Sequence, residues 1–467
     1  MLKRASVSGA LASLSLSMLM PSLDTSIANV ALPTLAHVFG ASFQAVQWVV
    51  LAYLLAIATL TVSVGRLGDI IGRRRLLLAG IGLFTGASLL CGVAPTLGLL
   101  VTARAVQGIG AAVMMALTVA LVRDTVPDEH TGGAMGLLGT MSAIGTTLGP
   151  SLGGVLIAGL GWRVIFLVNV PLGLLNLVLA RRYLSVDRRE AKTDRPGFDH
   201  LGTVLMALTL AAYAMAMTMG SGHFGPLNMT LLAATVAGVG LFTLAESSAA
   251  SPLIPMTMLR NRVLSASLAM SALVSAVMMT TLVVGPFYLS RVLGLSTALV
   301  GIVMSAGPLV AALSGVPGGR IVDRLGAPRV TLVGLITMSA GCVTLSVMPT
   351  TLGISGYIAP VVFVSAGYAL FQAANNTAVM TNIRSDQRGV IAGLLTLSRN
   401  LGLITGASVM GAVFALGSAA TSITSAPPEA VAAGMRTTFA VAALLIIASL
   451  ALVTALRTDV TRLDKRS

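Results

Sequence analysis

A chain of 467 residues that is 56% hydrophobic and only 9% charged, with a mean hydropathy of +0.94, is not a soluble globular protein, since those carry about 25% charged residues. Its net charge of +14 does not point to a nucleic-acid partner, because the basic residues are dispersed in short loops between apolar runs. Those runs recur at lengths that can cross a hydrocarbon layer of about 30 Å, so the class is an all-α polytopic membrane protein.

Fourteen spans are predicted, at 8–38, 46–65, 76–94, 97–122, 132–158, 162–180, 200–219, 227–245, 263–289, 296–316, 328–348, 353–376, 389–416 and 436–456. The N-terminus, "MLKR" before an apolar run, resembles a signal peptide. The run continues past Asp24 to about Phe39, longer than a signal-peptide core, so it reads as a retained first span. With the N-terminus cytoplasmic, 24 of the 29 Lys and Arg fall on the cytoplasmic side. Arg163, Arg291 and Arg436 fall outside, and Arg104 and Arg399 lie within spans. This asymmetry fits the positive-inside rule and places both termini in the cytoplasm.

The first span holds the one acid set deep in an apolar run. In "SMLMPSLDTSIANVALP" no basic residue lies within ten positions of Asp24. Intramembrane charge costs roughly 2.5–3.5 kcal/mol on insertion scales, and marks a functional candidate by default. The alternative is that Asp24 bonds a neighbouring helix. Ser17, Met20, Asp24, Ile27 and Ala28 share one helix face, and Pro21 loosens the backbone one turn earlier. Desolvation favours the neutral form of a carboxylic acid, so a carboxyl group held there can take up and give back a proton. Asn29 adds polar surface for a cavity.

After the second span comes "GRLGDIIGRRR", Gly65 to Arg75. Its glycines let two helices meet across a short turn, Asp69 is placed to cap a helix start, and Arg73, Arg74 and Arg75 anchor the cytoplasmic end. Topology signalling alone accounts for the arginines. The fourth span contains "ARAVQGIGAA", with Arg104 either snorkelling to an interface or taking part in a site. In the fifth, "GTTLGPSLGG", Gly145, Gly149 and Gly153 share one face that permits close packing. Pro150 bends the helix there. Cys91 and Cys342 fall inside apolar runs, and the four histidines have no metal-ligand spacing. No metal or cofactor is expected.

Residues 185–255 read as a charged linker with two further spans that contain no buried charge. The loop after the tenth span, "GRIVDRLGAPR", then repeats G-R-x-x-D-x-x-G-x-x-R, with Asp323 and Gly326 in the places of Asp69 and Gly72. "GASVMG" at 406–411 falls opposite "GPSLGG" at 149–154. The chain therefore reads as six spans (1–184), the insertion (185–255), six more (256–456) and a tail (457–467). Repeated halves of this kind place a substrate site near the midplane between them. Asn375 and Asn376 in the twelfth span, and Arg399 in the thirteenth, are cavity candidates. Arg399 reads equally as an inter-helix hydrogen bonder.

At these motifs the chain resembles the major facilitator superfamily, in its fourteen-span drug:proton antiporter branch. The loop at 65–75, the arginine-bearing stretch at 103–112, the antiporter stretch at 145–154 and "LDTSIANVALP" at 23–33 carry the resemblance. It implies two six-helix bundles plus two inserted helices, and proton coupling at Asp24 and Arg104. It also implies gating by Gly65, Asp69, Gly72, Arg73, Gly145, Gly149, Pro150, Gly153, Asp323 and Gly326. Asp69 would form an ionic latch between the halves. The implied protein is a monomer of the cytoplasmic membrane, in contact with lipid, protons and a small amphipathic substrate. A dedicated exporter of one metabolite or antibiotic is the alternative. An intramembrane enzyme is disfavoured, because H-E-x-x-H and G-x-S-x-G are missing. An ATP-driven pump lacks its phosphate loop, as no Gly-Lys pair occurs.

Overall fold

The computed structural model describes residues 2–126, 128–184, 199–219, 225–248, 258, 261–380, 388–419, 423 and 426–464. Every regular element among them is a helix. In chain order these are α1 (Leu2–Val38), α2 (Phe43–Ile71), α3 (Arg73–Val93), α4 (Leu97–Thr125), α5 (Asp128–Leu160), the short α6 (Val164–Leu167), α7 (Asn169–Tyr183), α8 (His200–Thr218) and α9 (Pro226–Ser248). There follow α10 (Arg262–Arg291), α11 (Thr297–Leu325), α12 (Ala327–Val347), α13 (Gly353–Met380), α14 (Arg388–Thr405), α15 (Gly411–Gly417) and α16 (Pro428–Asp464). A π-helical turn, Gly406–Met410, joins α14 to α15.

Side-chain oxygens start several helices. Ser42 accepts from Ala45 N at 3.2 Å, Thr96 from Leu99 N at 3.3 Å, and Asn261 from Val263 N at 3.0 Å. Each satisfies a backbone donor that the first turn leaves unpaired. Among the described residues thirteen helices are long and apolar enough to cross a membrane, and they match the second to fourteenth predicted spans. The helix α1 is not among the thirteen. Its serines, Asp24 and Asn29 dilute its apolar character.

Three expectations are corrected. The Gly65–Arg75 stretch is not a loop. The helix α2 runs to Ile71, only Gly72 breaks it, and α3 starts at Arg73. Asp69 is therefore in the last turn of α2 and does not cap a helix start; its side chain lies outside the described residues. Gly72 has φ +108° and Gly326, its counterpart between α11 and α12, has φ +80°. Glycine suits this region because it has no Cβ to clash. The last span starts at Pro428, which lacks an amide donor and so suits a first helical position. Arg436 thus lies within α16. Finally, Glu246 is buried in the last turn of α9, 2% exposed, although the inserted spans were expected to hold no buried charge.

The helices cluster into two compact units. Residues 1–215, 229–253 and 296–302 form the first. In it α1 packs on α5, α7 and α4, and α3 packs on α4 and α7. Residues 216–228, 254–295 and 303–467 form the second. In it α10 packs on α14, α16 and α13, and α12 packs on α13 and α16. The order of partners is the same in both, as the repeated motifs anticipate.

Small residues set the closest approaches. A methyl group built on Gly145 would lie 2.6 Å from Leu19 O, one on Gly149 2.8 Å from Ser26 Cβ, and one on Gly153 2.6 Å from Ile27 Cγ1. The glycine face of α5 is thus the seat of α1 within the first unit. Ser26 Oγ adds a hydrogen bond to Gly145 O at 3.3 Å, and Ser22 and Ser142 hydroxyls bond at 2.7 Å. In the second unit the end of α14 and the π-helical turn after it seat α10 likewise, with Gly402 against Ser275 Cβ and Gly406 against Ala276 O and Met279 Cβ. The adjacent face of α5, at Pro150 and Gly154, meets Thr297, Ala298 and Gly301 at the start of α11.

Candidate functional site

Asp24, which has no basic neighbour in sequence, finds its partner 80 residues away. Arg104 Nη1 donates to Asp24 Oδ2, and both side chains are fully buried. The same Nη1 donates to Gln107 Oε1 at 2.7 Å, one turn further along α4. Arg104 Nε donates to Val49 O of α2 at 2.8 Å. The guanidinium lies over the Tyr53 ring at 4.1 Å and near that of Phe166 at 5.7 Å, where ring quadrupoles attract a cation. Tyr53 in turn donates its hydroxyl to Pro21 O at 3.2 Å. That contact ties α2 to the turn of α1 preceding the acid.

The other carboxylate oxygen is also occupied. Asp24 Oδ1 accepts from Gln107 Nε2 at 2.9 Å and from Asn169 Nδ2 at 2.8 Å. Gln107 Nε2 also donates to Ser88 Oγ of α3 at 2.8 Å, and Cys91 Sγ approaches Gln107 Oε1 at 3.7 Å. Asn169 is the first residue of α7. Pro171 follows within that first turn, where a missing amide hydrogen goes unnoticed. Five helices, α1, α2, α3, α4 and α7, thus supply one polar network.

Every group facing the carboxylate is a hydrogen-bond donor, and an ionised carboxylate is an acceptor only. The site is therefore built around ionised Asp24 and a permanently charged Arg104. Such a buried pair does little for net stability, because desolvation offsets much of its attraction. Its structural effect is different: the pair ties α1 to α4 at Asp24 and Arg104.

The remaining predicted residues are placed as follows. Ser17, Met20, Ile27 and Ala28 are fully buried on the face of α1 that carries Asp24. Asn29 is buried but donates to Thr25 O of its own helix at 2.7 Å, not to the ion pair. Asn375 donates to Ser267 O of α10 at 3.4 Å, so it bonds a neighbouring helix, while Asn376 is exposed. Arg399 is half-buried, unlike Arg104. Gly65 is exposed, with open space where a Cβ would stand; Gly68 is the glycine closed against α4, where a Cβ would stand 2.6 Å from Leu117 Cδ2. Arg73 is half-buried and Asp323 exposed.

Gln107, Asn169 and Ser88 were not singled out from sequence. Gln107 had a signal, since position i+3 from Arg104 puts both on one face. Asn169 had one too. It and Asn176 are seven apart in an apolar span, and Asn176 bonds Ser13 at 2.7 Å and Ser17 at 2.9 Å on α1. Ser88 is one of many span serines and carried no distinguishing mark.

The profile of the Major Facilitator Superfamily matches residues 14–407. An uncharacterised transporter of Escherichia coli K12, YebQ, is 33% identical over 406 residues, covering 86% of this chain and 88% of its own. The multidrug resistance protein Stp of Mycobacterium tuberculosis is 31% identical over 404 residues, covering 84% of this chain and 73% of its own. A crystal structure of a bacterial homologue of the human lysosomal transporter Spinster superposes with a TM-score of 0.69 at 16% identity. It covers 96% of both chains.

Proposed function

The chain belongs to the major facilitator superfamily, and from that premise we propose that this multi-pass membrane transporter exports amphipathic compounds in exchange for protons. The observation that carries the proposal is the buried pair of Asp24 and Arg104. Ionised Asp24 balances Arg104, so the site has no net charge and tolerates a neutral or singly cationic substrate. Protonation of Asp24 leaves Arg104 uncompensated, which repels a cation and loosens α1 from α4. Occupancy by proton or by substrate, with rocking of two bundles, is sufficient for antiport.

The assignment of export rests on the multidrug resistance relative and on the span signatures. The many Met side chains, 23 in the chain, suit walls that adapt to varied shapes. Aromatic residues are scarce at 4%, which disfavours a rigid aromatic cage. We place the protein in the cytoplasmic membrane as a monomer, with bundles at 1–184 and 256–456, a linker and two inserted helices at 185–255, and a tail at 457–467. Asp69 and Asp323 act at the cytoplasmic helix breaks, and the α5 glycines act in gating.

The test is efflux in an efflux-deficient bacterial host. Wild type protects against neutral antibiotics or lipophilic monocations. Asp24→Asn abolishes that protection and all pH-gradient-driven transport at unchanged expression, because an amide cannot cycle a proton; Asp24→Glu keeps part of both. Undiminished gradient-driven transport in Asp24→Asn sinks the coupling assignment. Protection confined to one compound supports the dedicated exporter, and protection confined to dications or organic acids refutes the account of the site's charge.

A further inference from the structure

We propose that Asn169 is a positioning residue for proton uptake: its side-chain amide turns over when Asp24 is protonated, exchanging a donated hydrogen bond for an accepted one. The inference rests on the reading of Asp24 as the proton carrier. It arises from a mismatch in the network. Asp24 receives three side-chain donors, Arg104 Nη1, Gln107 Nε2 and Asn169 Nδ2. A proton that comes from water and settles on either carboxylate oxygen turns that oxygen into a donor facing donors. Burying such a clash is costly, so one neighbour must present an acceptor.

Arg104 has no acceptor atom. Gln107 is held at both ends. Its Oε1 accepts from Arg104 Nη1 and Cys91 Sγ, and its Nε2 donates to Ser88 Oγ as well as to Asp24. Ser88 cannot reverse that bond, since its own hydrogen goes to Phe84 O at 2.7 Å. Turning Gln107 over therefore breaks several bonds. Asn169 makes one side-chain bond, to Asp24, and its Oδ1 has no hydrogen-bond partner among the described residues. The residue is 1% exposed. A buried acceptor without a partner calls for an explanation, and a half-turn of this amide brings that acceptor onto the protonated acid. The other titratable or charged side chains facing Asp24 are Arg104 from α4, Tyr53 from α2 and Cys91 from α3. The Tyr53 hydroxyl is bonded to Pro21 O and the Cys91 thiol approaches Gln107, and neither makes a hydrogen bond to the carboxylate from which it could present an acceptor.

The experiment is infrared difference spectroscopy of the purified full-length transporter in lipid, taken between alkaline and acidic pH, with and without isotope-labelled asparagine side chains. No substrate is required. In wild type, acidification produces a protonated-carboxyl band that is lost in Asp24→Asn, together with an asparagine-amide change lost in the same variant. Asn169→Leu keeps the carboxyl band but shifts it to the frequency of an unbonded acid, and loses the amide change. Asn169→Thr, whose hydroxyl either donates or accepts, restores the bonded frequency. An Asp24-dependent carboxyl band without any labelled-amide change in wild type overturns the role of Asn169 while leaving Asp24 as carrier. That arm needs no variant of Asn169 to fold. Absence of any Asp24-dependent carboxyl band overturns both.

Discussion

At the scale of single residues, the ion pair was legible as two separate oddities. A lone acid in α1 and a lone arginine in α4 each break an apolar run, and each is costly to leave unpaired in hydrocarbon. Their pairing was not legible, because nothing in a sequence separation of 80 residues fixes which helices touch. The same gap hid Asn169, which comes from α7. The pair makes a prediction about stability that is independent of transport. Removing one partner of a buried pair costs about 3–5 kcal/mol, because the other charge stays buried alone. Arg104→Leu should therefore lower the thermal midpoint in detergent steeply, leaving Asp24 in the polar company of Gln107 and Asn169 only. The double variant Asp24→Asn/Arg104→Leu should be more stable than Arg104→Leu alone, since neither charge remains. If the double variant unfolds earlier than the single one, the unpaired Asp24 is not the source of the loss, and its bonds to Gln107 and Asn169 outweigh the cost of its charge.

At the scale of elements, glycine spacing gave the right face of α5 and left its neighbour undetermined. The spacing of Gly145, Gly149 and Gly153 says only that something comes close; the structure identifies it as α1, the helix that carries Asp24. The break glycines were misjudged for a related reason. A motif reads as a loop when its charges are counted, yet only Gly72 and Gly326 leave helical geometry, and those two have the positive φ. These contrasts predict opposite outcomes for glycine substitutions. Gly149→Leu forces a large side chain into Ser26 and Ile27 of α1. It should destabilise the protein by at least the 1–3 kcal/mol typical of overpacking and stop transport by displacing Asp24 from Arg104. Gly406→Leu should do the same to α10 in the second unit. Gly65→Ala meets open space within α2, and should stabilise the helix by about 0.5–1 kcal/mol. Melting curves of the three purified variants check the ranking. A Gly149→Leu protein that melts with wild type removes the argument that the glycine face seats α1.

At the scale of the whole molecule, the count of spans decides the side on which each terminus lies. Among the described residues hydropathy alone supports thirteen crossings, and an odd number puts the termini on opposite sides. Loop charge fixes the side of every loop after α1 and leans to fourteen through the N-tail: with α1 crossing the asymmetry is 24 basic residues to three, and without it Lys3 and Arg4 fall outside, giving 22 to five. Packing weighs on the same side. The helix α1 lies along α5 over the two turns spanned by Gly145, Gly149 and Gly153, and along α7 from Ser13 to Asp24. A helix held to two membrane-length helices over that distance shares their depth. Its low hydropathy then reflects what it buries: serines bonded to α5 and α7, and an acid neutralised by α4. The expected outcome is that a phosphatase reporter active only outside the cytoplasm stays silent when fused to either terminus. The same reporter should be active in the short connection between α1 and α2, at Gly40 or Ala41. An active N-terminal fusion with a silent C-terminal one means thirteen crossings, and in that case α1 does not span and the reading of Asp24 as a proton carrier within the membrane fails with it.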